Sequence, residues 1–450
     1  MKTRNLIITL ILMLSSGAMQ AKDNIAYQDN QVRFTVITDG VIRLEWQPEG
    51  RFTDEPSFVA SEREYPETAY KVKKAKGIIR IETAKMILEY RKGSGRFTAD
   101  NLTITSTGNV SPAFTWHPGT EQKGNLKGTL RTLDWMEGGD HAESINPELK
   151  LGEKRELEDG ILARDGWTLI DESASFLFDD SEWAWVKERE AKECQDWYFM
   201  AYGHDYKAAL KDFTIFAGKA PLPPRFTFGY WWSRYWAYSD REMRTLTDRF
   251  KAYGIPLDVL VVDMDWHYTD KGRGDWTGWT WNRSLFPDPA GFMKYMKDKG
   301  LKLTLNLHPA DGFQPYEECY SALASGMGLD PHEQKHIEWT SSDKNFMENM
   351  FEHVMHPMQE EGVDFWWLDW QQHLYDKKVD KLNNTWWINY CYFSDMERNG
   401  DKRPMLYHRW GGLGNHRYQI GFSGDATISW RSLDFQPYFT STASNVLYGY

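Results

Sequence analysis

Residues 362–370, Gly-Val-Asp-Phe-Trp-Trp-Leu-Asp-Trp, form an apolar run that ends on a carboxylate, Asp369. β-Branched and aromatic side chains dominate positions 363–368, as suits a strand covered on both faces. A helical pattern and then Gly362 precede the run, so it reads as one strand of a parallel sheet. An ionised carboxylate at such a strand end is costly unless it is hydrogen-bonded or stands at a pocket mouth. In a β/α barrel the C-terminal ends of the strands form that mouth. Asp369 is therefore the first candidate for chemistry. On this segment alone, a buried aspartate that caps the next helix is an equally good reading.

The same rhythm extends outward from this strand. Residues 225–230 read as a strand. Ser239 and Glu242 then make a capping box, followed by Met243, Leu246, Phe250 and Tyr253 at helical spacing. Strands are expected at 257–263, 301–307, 404–409 and 418–424, with helices at 289–299 and at 343–356, the latter interrupted near Pro357. This alternation favours a β/α barrel. An open sheet would carry a phosphate-binding glycine loop after its first strand, and Gly229–Trp236 is aromatic instead. Six strands are counted where a closed barrel has eight. The reading is a barrel incomplete at its C-terminal end, a truncated chain stopping at Tyr450.

Upstream the signals are β. Residues 32–37 and 41–46 flank Asp39-Gly40, a tight-hairpin dipeptide. Residues 77–83 and 86–91 suggest a second hairpin, and 102–116 and 161–170 continue the strand character. Short strands with Gly and Asn punctuation point to a β-sandwich. The stiff Pro221-Leu-Pro-Pro224 marks a boundary. The expected organisation is a signal peptide at 1–21, a β-sandwich domain at 22–218 and a catalytic barrel at 219–450.

The first 21 residues carry Lys2 and Arg4, an apolar stretch at 6–14, and small residues at Ala18 and Ala21. A periplasmic or extracellular location follows, without membrane insertion, because the apolar stretch is too short to span. Cys194, Cys319 and Cys391 offer neither a disulfide framework nor a metal pattern. The formal net charge of −12, with no basic stripe apparent, argues against a nucleic-acid partner.

Three carboxylates stand at expected strand ends: Asp263, Asp369 and Asp425. Glycoside hydrolysis needs two carboxylates flanking the scissile bond, about 5–5.5 Å apart when configuration is retained. Arg409, ending another strand, could pair with Asp369 or Asp425 or simply make a structural ion pair. The chain holds 22 Trp. Many of these belong to the core, whereas others, such as Trp276, Trp367 and Trp370, are candidate sugar platforms. Trp366 and Trp367 alternate along a strand, so one of them is core. His308 is a pocket-lining candidate, with a satisfied core histidine the better expectation. Asp263, Asp265 and His267 make only a weak metal constellation.

With these residues in place, the chain resembles glycoside hydrolase family 31, the α-glucosidase and α-xylosidase family, from about residue 30 onward. The segments at 32–45, 125–134 and 164–171 carry the resemblance in the first domain. Val261-Val-Asp-Met-Asp-Trp266, Phe286-Pro-Asp-Pro289, Trp366-Trp-Leu-Asp-Trp370 and the stretch from Arg409 to Gly424-Asp425 carry it in the barrel. The resemblance implies a retaining, exo-acting α-glycosidase that needs no cofactor or metal and acts on an oligosaccharide or glycoside. Asp369 would be its nucleophile and Asp425 its general acid/base. Asp263 and Arg409 would bind the terminal sugar, with Trp367, Trp370 and His308 around it. Trp370-Gln371-Gln372 stands where many family α-glucosidases carry Met-Asn-Glu, so glucose is not singled out. The competing expectations are a non-catalytic carbohydrate-binding fragment, or specificity for α-galactosides or α-N-acetylgalactosaminides. Oligomeric state is left open.

Overall fold

The computed structural model describes residues 24–450, apart from 135, 138–141, 145–153, 192, 271–275, 370–372 and 401. The expected signal peptide, Trp370, Gln371 and Gln372 therefore lie outside the described residues.

The N-terminal part is a sandwich of two five-stranded antiparallel sheets. One sheet runs in the order Ile25–Gln28, Val32–Thr38, Val41–Trp46, Gln195–Ala201, Trp167–Asp171. The other is a meander of Lys71–Ala75, Ile78–Glu82, Met86–Arg91, Leu102–Ser106 and Thr115–Trp116. Asp39-Gly40 forms the two-residue turn of the first hairpin, as its dipeptide predicts. Alternate residues meet between the sheets: Phe34, Val36, Ile42 and Leu44 pack against Ile79, Ile81, Leu88 and Tyr90. Each such side chain contributes about 1.5–3 kcal/mol by leaving water.

The opposite face of the first sheet is also buried, under charges that neutralise one another. Arg33 Nε donates to Glu45 Oε2 at 2.6 Å, and Arg43 grips Asp196 through two bonds of 2.8 Å. Glu45 and Asp196 are fully buried. Burial would raise the Asp196 carboxyl, but Arg43 outweighs it and holds the group well below the usual carboxylate range.

Beyond the helix Tyr206–Ala217 and the Pro221–Pro224 segment, the sheet becomes parallel. Strands Trp231–Trp232, Val259–Val262, Lys302–Leu307, Phe365–Leu368 and Leu406–His408 lie side by side in chain order. They form part of a β/α barrel. Leu260, Leu305, Trp366 and Leu406 face outward into the core shared with the helices, among them Asp240–Ala252, Pro289–Asp298 and Asn384–Asn399. Val259, Val261, Phe365, Trp367 and Met405 fill the interior. Ser239 and Glu242 close the expected capping box at the start of Asp240–Ala252.

Three expectations are corrected. Residues 225–230 are not a strand: Arg225–Phe228 is a 3-10 turn launched by Pro224, whose fixed φ and free carbonyl start it. The strand begins later, at Trp231. Residues 418–424 run beside the Arg409 strand and bond to it, with Leu406 N donating to Gln419 O and Phe422 N to His408 O. Only His408 and Gly421 form a regular parallel bridge there, because Gly421 N turns aside to Gly449 O. Finally, Pro357 does not interrupt its helix. A π turn at Phe351–Met355 widens the coil just before it, so the missing N–H is absorbed and the helix runs on through His356–Glu361.

Candidate active site

Four parallel strands end on candidate side chains at the same mouth. Asp263 follows Val262, His308 follows Leu307, Asp369 follows Leu368 and Arg409 follows His408. The ladder register aligns these ends, with Leu307 opposite Leu368 and Leu368 opposite His408. Asp425 arrives on the neighbouring segment, one residue after Gly424.

Asp369 is 4% exposed and is held from two sides. Arg409 grips its Oδ1 through Nε at 2.9 Å and through Nη2. His308 Nε2 stands 3.2 Å from its Oδ2, and Asn306 Nδ2 lies 3.4 Å from the same oxygen. Burial alone would raise this carboxyl. Arg409, with His308, outweighs that and holds it well below the usual carboxylate range, so Asp369 is an anion near neutral pH.

Asp425 is exposed at the rim, and its electrostatics run the other way. Partial desolvation raises its carboxyl, and the charges of Asp369 and Asp134 raise it further against the opposing pull of Arg409. Asp263 is pushed up to about 6, first by burial and then by Asp369 and Asp425, although the amide of Met264 donates to its Oδ1 at 2.7 Å. Asp263 thus serves as an N-cap and still takes part in the carboxylate cluster. The site holds one carboxylate stabilised as an anion and others biased toward protonation, the arrangement that separates a nucleophile or base from an acid.

Sequence reading did not single out Asp134. This residue comes from the N-terminal half of the chain and enters the site beside Asp425. Its Oδ1 accepts Arg409 Nη1 at 3.0 Å and the backbone N–H of Asp425 at 2.7 Å. Leu133 N donates to Ser423 O at 2.7 Å, and Thr132 Oγ1 accepts from Arg409 Nη1. Residues 132–134 are therefore stitched to residues 423–425 and to Arg409. The 125–134 segment carried the family resemblance, but nothing local in Thr-Leu-Asp marks a partner almost three hundred residues away.

The tryptophans divide. Trp367 is buried in the barrel interior, against Tyr407 and Phe422. Trp366 is fully buried on the outer face, so both tryptophans are packed, one on each side of the strand. Trp276 is 45% exposed and meets His308 edge-on with ring centroids 5.3 Å apart, an apolar wall at the mouth. Asp265 accepts from Thr269 Oγ1 and His267 Nδ1 faces the carbonyl of Tyr268. Among the described residues no three His, Cys, Asp or Glu side chains converge as metal ligands. None of the described helices is long and apolar enough to cross a membrane.

Comparison with known proteins fits this geometry. An α-xylosidase of Saccharolobus solfataricus is 23% identical over 263 residues, which are 53% of this chain and 34% of the relative. The α-xylosidase XylQ of Lactiplantibacillus pentosus is 33% identical over 114 residues, 25% of this chain and 14% of the relative. This chain thus matches about a third or less of the length of these relatives. A crystal structure of a family 31 α-xylosidase from a soil metagenome, complexed with xylose, superposes with a TM-score of 0.64. It is 14% identical and covers 94% of this chain and 70% of its own, a likeness of fold. The profile of the glycosyl hydrolases family 31 TIM-barrel domain matches residues 220–449, half of the sequence, so this chain belongs to glycoside hydrolase family 31.

Proposed function

We propose that this protein is an exo-acting retaining α-glycosidase that hydrolyses terminal α-glucosides or α-xylosides by double displacement. One observation carries the reading: Asp369 and Asp425 gather at one mouth around Arg409, and their surroundings push their proton affinities in opposite directions.

In this reading Asp369, ionised, attacks the anomeric carbon and forms a glycosyl–enzyme ester as the glycosidic C–O bond breaks. Asp425 gives its proton to the departing oxygen. It then takes a proton from water, whose oxygen attacks the anomeric carbon and expels Asp369 as the carboxylate. Arg409 and His308 hold the attacking carboxylate in place, and Asp263 accepts from hydroxyls of the terminal sugar. Trp276 flanks the entrance, and Trp370, next in sequence to the nucleophile, is a further sugar contact in this reading. Trp367 supports the site from beneath. The substrate is an oligosaccharide or glycoside, the sandwich extends to about residue 218 and the catalytic unit begins at about 219. Lys2, Arg4 and the apolar stretch after them support export to the periplasm or beyond.

The test is a panel of aryl α-glycosides (xyloside, glucoside, galactoside and N-acetylgalactosaminide) incubated with the full chain and with Asp369→Asn. Turnover of the xyloside or glucoside by the wild type, with loss of at least a thousandfold in the variant, is the expected result. Sugar binding by calorimetry without any turnover would instead favour a carbohydrate-binding protein.

A further inference from the structure

Tyr407 lies in the strand Leu406–His408 and Arg409 follows the strand's last residue, two positions on, so both side chains face the barrel interior. At about 3.3 Å of rise per residue, Tyr407 lies one side-chain layer beneath Arg409. Three aromatic rings surround it: Trp231, Phe422 and Trp367, with centroids 5.1, 5.3 and 5.6 Å away. Residues 366–368 pair in register with 406–408, which places Trp367 directly beside Tyr407 and Asp369 just above. The interior is filled below this level by Phe365, Met405 and Val259. Tyr407 and Trp367 therefore form the layer directly beneath the carboxylates.

Several enclosed tyrosines spend their hydroxyls within the protein. Tyr90 donates to Gly95 O, Tyr320 to Lys335 O and Tyr448 to His408 O, while Tyr450 bonds to Thr129 and Tyr198 accepts from Arg63. Tyr407 Oη has no hydrogen-bond partner among the described residues, and the side chain is only part-buried. The hydroxyl is not sealed from solvent, so water or a ligand in the mouth can accept from it. Burial and then the charge of Asp369 keep it protonated, with Asp425 and Asp263 adding to the effect and Arg409 opposing it. It is thus a neutral donor amid acceptors, at the bottom of the mouth.

We infer that Tyr407 contacts the terminal sugar, its hydroxyl donating to one sugar hydroxyl from the pocket floor and so selecting among sugars. The inference rests on the α-glycosidase reading above. A pocket floored by a hydrogen-bonding group rejects a sugar that lacks the matching hydroxyl, because the donor would then be left unpaired.

The experiment compares wild type with Tyr407→Phe in the full chain, on an aryl α-xyloside, an aryl α-glucoside and their singly deoxygenated forms. Phenylalanine keeps the ring packing, and the melting temperature serves as the control. The expected result is a fall in kcat/KM of about tenfold or more on the parent sugar. Discrimination against one particular deoxy sugar should also vanish, as non-additivity requires of two groups in contact. An unchanged kcat/KM, or an equal loss on every deoxy substrate, overturns the inference. Asp369→Asn run alongside separates the two claims, since undiminished turnover there refutes the mechanism and not the contact. If no sugar is turned over, the same cycle is read by calorimetric binding of methyl α-glycosides and their deoxy forms. Affinities untouched by Tyr407→Phe would then overturn the inference.

Discussion

Asp134 Oδ1 accepts the backbone N–H of Asp425 at 2.7 Å, across 291 residues of chain. The same oxygen accepts Arg409, which in turn holds Asp369. One carboxylate from the N-terminal half thus ties together the two groups proposed to do the chemistry.

Replacing Asp134 by Asn keeps the shape and the oxygen acceptor but removes one negative charge beside Asp425. Asp425 is raised by desolvation, then by Asp369 and Asp134, while Arg409 and His308 oppose this. Removing one raising charge lowers its proton affinity. The alkaline limb of kcat/KM against pH should therefore move to lower pH in Asp134→Asn. A limb that stays in place would show that Asp134 does not tune the acid.

Gly424 has φ of +92°, a backbone shape that side chains other than glycine rarely take. A β-carbon there would also collide with Asp134, Arg409 and Thr132. Gly424→Ala should cost about 1–2 kcal/mol of stability from the backbone alone. It should also displace Asp425 enough to cut kcat by about a hundredfold. Activity near wild type would refute the close fit.

If Asp425 is the proton donor, Asp425→Ala should spare substrates whose leaving group needs no proton. The dinitrophenyl glycoside should lose far less kcat than an unactivated disaccharide, which should fall by about 10²–10⁴-fold. Equal losses on both substrates would assign the residue another role.

Away from the site, Asp196 lies wholly buried between Arg43 and Arg189. Removing it strands positive charge in the sandwich, so Asp196→Ala should cost about 3–5 kcal/mol in chemical denaturation. Because its folded-state proton affinity is depressed, the wild-type contribution is complete above the unfolded carboxylate value of about 3.9. That contribution is lost as pH falls below this value. The variant should show a shallower loss of stability on acidification than the wild type.

Most of this architecture was legible in the sequence because each local signal had a physical cause. The Phe-Trp-Trp-Leu run could not be solvated, Ser239 and Glu242 had to cap a helix, and Asp39-Gly40 had to turn a hairpin. Strand Gln195–Ala201 was missed although all seven residues are buried, because Gln195 and Asp196 break its apolar pattern. Asp196 is tolerated there through Arg189 and through Arg43, a partner 153 residues away. The strand-end carboxylates were found because alternation placed them at one mouth. Asp134 was not, since its role depends on a contact between distant parts of the chain that no local pattern encodes. Trp366 and Trp367 were correctly assigned to opposite faces, but both turned out to be packed.

The stitching of residues 132–134 to the Asp425 segment means that the barrel does not complete its own mouth. Excised from the sandwich, it would lose the anion that receives Arg409 and the acceptor that seats Asp425. Such a fragment would keep its two proposed reactive groups and lose their alignment. Conversely, exchanging only the short loop around Asp134 between relatives offers a way to retune acid strength without altering the barrel itself.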